Sequence, residues 1–80
     1  MDKDLARHIV RTTFRSSAGL EELLPLVRHH CGEEEARTYA LAIASAIADI
    51  HRELTTRVFS TFPELEAEVE RSIEKYGRIL

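Results

Sequence analysis

The sequence predicts an all-α fold: a small antiparallel bundle of four helices around one long central helix. Three observations lead there. The stretch Glu33–Phe59 contains neither Gly nor Pro and is apolar on more than one side. Within it, Ala36, Ala40, Ala44 and Ala48 recur every four residues, which on a helix stacks them into one ridge of small side chains. The good helix formers Ala, Leu, Glu and Arg dominate the composition, against only 3 Gly and 2 Pro.

The first helix is expected over residues 4–16. Asp2 and Asp4 offer an N-cap and negative charge where exposed N–H groups favour it. Leu5, Ile9, Val10 and Phe14 give an apolar side, and Ser16-Ser17-Ala18-Gly19 reads as a terminus, with Gly19 able to take a left-handed cap. The second helix is expected over 20–31. Leu20, Leu23, Leu24, Val27 and Cys31 form a clean amphipathic stripe. Pro25 lies past the first turn and demands a kink or a late start, and Gly32 ends the segment.

The third helix, 33–59, is the long one, roughly 39 Å at 1.5 Å per residue. Glu33, Glu34 and Glu35 crowd its first turn. Beside the alanine ridge runs a bulky row of Tyr39, Ile43, Ile47, Ile50, Leu54 and Val58, while Ser45, Asp49, Glu53 and Thr56 mark a wet face. Glu33 with Arg37, and Glu53 with Arg57, are favourably oriented i, i+4 pairs. The fourth helix is expected over 62–77. Thr61-Phe62-Pro63-Glu64 has the form of a capping box with Pro in the first turn, and Gly77 is placed to end the helix.

The chain has 80 residues and reads as a single domain over 1–80. A domain this small buries only about 60–65% of its unfolded surface, so its core supplies little net stability. One cysteine, Cys31, provides no internal disulfide, which leaves association as the expected supplement. The second helix is too short to cover the third. A symmetric copy is the simplest remedy, with Ala36, Ala40, Ala44 and Ala48 as the candidate interface of a homodimer.

Three constellations bear on function. Lys3, Arg7, Arg11 and Arg15 form a basic row on the first helix and a candidate partner surface, either for an acidic protein or, less favourably, for nucleic acid. The whole chain has a formal charge of -3 and no aromatic stacking platform, which weighs against nucleic acid. The plainer use of the row is pairing with the acidic fourth helix, where Glu64 and Glu68 form one line and Glu66, Glu70 and Glu74 another. The second constellation is His29, His30 and Cys31, with His51, the only grouping with metal- or redox-sensing chemistry. Adjacent helical residues diverge by about 100°, and the spacing matches no familiar zinc motif, so the histidines suit a helix C-terminus better than an ion.

The third is catalysis. Asp49, His51 and Glu53 fan apart at spacings of two, and there is no phosphate loop, nucleophile elbow or HExxH. A non-enzymatic interaction or regulatory module without a cofactor is therefore the expectation. The start MDKDLARH lacks a signal peptide's apolar core, and no run reaches the eighteen or so apolar residues of a membrane span. With one unpaired thiol, a cytoplasmic setting is expected.

Overall fold

The computed structural model describes every residue from Met1 to Leu80. Its helices are α1 (Lys3–Glu21), α2 (Leu23–His30), α3 (Glu33–Ile50), α4 (Thr56–Thr61) and α5 (Pro63–Tyr76). A π-helical turn, His51–Thr55, joins α3 to α4 with no residue leaving the helix. The all-α class stands, but the four-helix arrangement does not: the chain makes three helical rods, residues 3–30, 33–61 and 63–76.

The first correction concerns residues 16–22. The first helix does not stop at Ser16, because Gly19 keeps a helical backbone, and the only left-handed glycine is Gly77 at φ 75°. Ser17 is satisfied inside the helix, its hydroxyl donating to the Phe14 carbonyl at 3.0 Å. The interruption falls at Glu22 alone, and even that residue keeps right-handed dihedrals (φ -62°, ψ -19°). Pro25 is the cause: it has no N–H for the Glu21 carbonyl, and its ring crowds that oxygen. The expected first and second helices are thus one rod with a kink.

That rod ends at His30, one residue before the expected 31, because Cys31 is already extended (φ -115°, ψ 156°), and Gly32 serves as the N-cap of α3. The second rod then runs to Thr61, since nothing in it breaks a helix before Pro63. Phe62 is displaced to φ -127°, ψ 76°, as the residue before a proline tends to be. Here lies the second correction. Phe62, not Thr61, is the N-cap of α5 and makes no side-chain cap bond, while the Thr61 hydroxyl turns back to the Arg57 carbonyl at 3.4 Å. The capping box does not form, though Pro63 does open the helix. At the other ends Asp2 accepts from the Leu5 amide at 2.8 Å, and left-handed Gly77 closes α5 by donating to the Ile73 carbonyl at 2.7 Å.

The rods lie side by side in a slab 45 × 25 × 15 Å. The first runs antiparallel to the second, with Ala6 and Val10 packed with Val58, and Ser17 beside His51. The third runs parallel to α1: Lys3 pairs with Glu64 at 3.2 Å and Arg7 with Glu68 at 2.9 Å. It lies on the groove between α1 and α4, where Leu65 and Val69 complete a core with Ala6, Val10 and Val58. Ile9, Phe14, Phe59, Phe62 and Ile79 pack around that core. Ile79 reaches it because Ser72 ties the tail down, its hydroxyl donating to the Arg78 carbonyl and accepting from the Leu80 amide. No helix is long and apolar enough to cross a membrane.

Candidate functional site

Beyond α5 the groove continues between α2 and α3, and there it is empty. Its walls are Leu24 and Pro25 from α2 and Ile43, Ala44, Ile47 and Ala48 from α3, with Glu21 and Arg28 at its edge. One edge of the first rod shows the change. Arg7, Phe14, Glu21 and Arg28 follow one another at intervals of seven, which keeps them nearly in line on a helix. Arg7 and Phe14 are held by α5 and the core, whereas Glu21 and Arg28 form no ion pair within the chain.

This two-helix arm is poorly covered. Ile43 is its one buried residue, at 7% exposure. Leu41 stands 67% exposed, Leu26 55% and Tyr39 54%. The alanine ridge is divided: Ala36 and Ala40 are half-buried against the last turn of α2 beside Cys31, while Ala44 and Ala48 are exposed in the empty groove. Ile47 and Ile50, from the bulky row, are only half-buried.

The surface total agrees. The chain exposes 5838 Å². A compact monomer of 9.1 kDa exposes about 4,900 Å². The radius of gyration, 14.8 Å, likewise exceeds the roughly 12 Å of a compact chain of this length.

The basic row is divided too. Lys3 and Arg7 are occupied by α5, and Arg7 also reaches Asp4 at 3.0 Å. The guanidinium grips Glu68 with two nitrogens, at 2.9 and 3.0 Å. These contacts hold the Glu68 carboxyl below its ordinary range, chiefly through the Arg7 hydrogen bonds. Glu64 is lowered as well, first by its own backbone amide and then by Lys3. Only Arg11 and Arg15 remain exposed and free of ion pairs.

His29, His30, Cys31 and His51 are not brought together. His29 and His30 stack edge to face on each other at the end of α2, and no group of three metal-ligating side chains is assembled anywhere in the fold. The Cys31 thiol is pushed up from its ordinary 9.0, first by a hydrogen bond with Glu35 and then by desolvation, which disfavours the reactive thiolate. His51 lies elsewhere, on the seam where the closed and open parts of the molecule meet.

That seam is the feature sequence reasoning did not find. Thr13, Ser17 and Thr55, all buried, form a polar layer between α1 and the second rod. His51 lies within hydrogen-bonding distance of Ser17 Oγ (3.1 Å from Nε2) and Thr55 Oγ1 (3.0 Å from Nδ1), with the Phe14 ring set edge-on against it at 4.8 Å. With the Ser17 hydroxyl donating to the Phe14 carbonyl, the two contacts suit the tautomer in which Nε2–H donates to Ser17 and Nδ1 accepts from Thr55. The imidazole thus draws no proton from the serine, and every buried polar side-chain atom has a partner.

The π turn explains why the layer is hidden in the sequence. By admitting an extra residue to one helical turn, it rotates Thr55 inward and leaves Leu54, expected in the bulky inner row, 46% exposed. No protein-family model, curated protein or solved structure matches this chain.

Proposed function

We propose that the chain is a non-enzymatic helical protein–protein interaction module, working as a homodimer through the arm formed by α2 and α3. The observation that carries this is the uneven burial. Leu65, Val10 and Ala6 in the closed end are fully covered, while the arm buries Ile43 alone and leaves leucine and tyrosine side chains in water. The groove itself is walled by Leu24, Pro25, Ile43, Ala44, Ile47 and Ala48, an apolar surface of the kind that marks an interaction site. The non-enzymatic part is supported by the seam, where the Ser17 hydroxyl is buried and donates to the Phe14 carbonyl.

Arg11 and Arg15 supply an exposed cationic edge for an acidic partner protein, making a regulatory or adaptor role the natural product of the dimer. The nucleic-acid alternative has to work with those two cations, since Lys3 and Arg7 already serve α5. A cytoplasmic setting accords with the single, unpaired Cys31 thiol. Light scattering tests the proposal: a mass twice 9.1 kDa supports it, and a 9.1 kDa particle at high concentration overturns the homodimer.

A further inference from the structure

We infer that the empty half of the groove is occupied by the same half of a second copy, turned end over end about a two-fold axis perpendicular to the helices. The two arms then form a four-helix bundle in which Glu21 of each copy faces Arg28 of the partner subunit. This rests on the proposal that the arm is the interaction surface, and it specifies the occupant and the register.

Sterics select the orientation. α5 fills the groove at the closed end only. A copy laid on with its closed end over this one would bring the two α5 helices into collision. Turned end over end, it places its own α5 at the opposite extremity and its arm over this arm. That operation sets α2 antiparallel on α2 and α3 antiparallel on α3, the arrangement of an antiparallel four-helix bundle. Ala44 and Ala48 then lie at the crossing, where methyl side chains let the backbones approach.

Charge selects the register. The groove edge carries one acid, Glu21, and one base, Arg28, seven residues apart, and neither is paired within its own chain. Such an edge is self-complementary only when reversed on itself: an antiparallel copy makes Glu21–Arg28 and Arg28–Glu21 together. The axis consequently passes level with Leu24 and Pro25. The area fits as well. The free chain's excess over a compact monomer, about 900 Å², is close to the roughly 800 Å² that each partner buries in a standard interface.

The test uses two variants of the full chain, Glu21→Arg and Arg28→Glu, studied separately and as an equimolar mixture by sedimentation equilibrium. Both sites are exposed, so each variant should keep its circular dichroism spectrum. Alone, each variant faces two like-charge pairs and should self-associate about tenfold more weakly than the parent chain. Mixed, the two recover both opposite-charge pairs, and the expected result is a heterodimer close to parental affinity. A dimeric parent whose variant mixture associates no better than either variant alone overturns this register while leaving the homodimer intact. A parent that stays monomeric overturns both.

Discussion

The two ends of the molecule are built from the same helices yet solve the burial problem differently. At the closed end, α1 and α4 form a hairpin whose groove takes a third helix from the same chain, and Leu65 and Val10 fall to 1% exposure. At the open end, α2 and α3 form the same kind of hairpin with nothing in the groove. α5 makes the whole difference: 14 residues of helix, starting where Pro63 ends the second rod, reach only half of a 45 Å slab. A helical hairpin has two apolar flanks and an exposed groove, and it becomes a stable unit only when a further helix covers them. The polar layer of Thr13, Ser17, His51 and Thr55 lies between the two ends, satisfied by itself and requiring neither.

Substitutions can break this comparison. Leu65→Ala removes a fully covered side chain from the closed end and should cost about 2–5 kcal/mol in denaturant unfolding. Leu26→Ala, in the arm at 55% exposure, should stay within about 0.5 kcal/mol. Equal losses at the two sites would mean that the arm is as well packed as the core.

Ala44→Leu separates the chain from its assembly. Ala44 is exposed in the single chain, so a monomer should tolerate the larger side chain, whereas a dimer should be weakened by overpacking worth about 1–3 kcal/mol. Analytical ultracentrifugation of the variant reads this directly, and unchanged association would place the ridge outside the interface.

Most of the rods could be read from the sequence, and the exceptions have local causes. The uninterrupted run from Glu33, the Asp2 cap, the Gly77 stop and the complementarity of Lys3 and Arg7 with Glu64 and Glu68 are short-range or strongly periodic signals, and the fold uses them as written. The expected end at Gly19 is absent because a glycine is a weak stop, costing about 1 kcal/mol relative to alanine within a helix, and the buried Ser17 and half-buried Leu20 beside it keep that stretch packed. Thr61 loses its capping role because Pro63 fixes the break one residue later, at Phe62. The seam escaped because a π turn shifts the register within a continuous helix and is marked by no residue type. The empty groove was visible only in part, since the alanine spacing gives a ridge but not which half of it α2 covers.

The two glycines sharpen the point about rod continuity. A methyl group added at Gly19 meets nothing within 4 Å, and the backbone there is helical, so Gly19→Ala should stabilise the chain by about 0.5–1 kcal/mol. At Gly77 the space is equally free but φ is +75°, so Gly77→Ala should lower stability by about 1 kcal/mol. Opposite signs in thermal melts support one kinked rod; a loss at Gly19 would restore the terminus the sequence suggested.

The smallest effect concerns pH and belongs to the closed end alone. Glu64 and Glu68 have folded-state carboxyls held below the ordinary value of 4.5. Their contribution is therefore present above that value and declines as pH falls through the lowered folded-state range, where protonation releases Lys3 and Arg7. Both pairs are partly exposed, so screening keeps the effect modest, and high salt should reduce it. Glu68→Gln should flatten the acid limb of the stability curve; an unchanged limb would assign the acid sensitivity to other carboxylates.

The central claim is that one end is complete within the chain and the other depends on a partner. Amide hydrogen exchange measured over a range of protein concentrations tests it most directly, because protection conferred by association follows mass action and protection conferred by folding does not. The expected result is that amides of α2 and of α3 around Ile43–Ala48 exchange faster on dilution, while those around Val10, Val58 and Leu65 hold constant. Exchange in the arm that is as slow as in the core and insensitive to dilution would contradict the account.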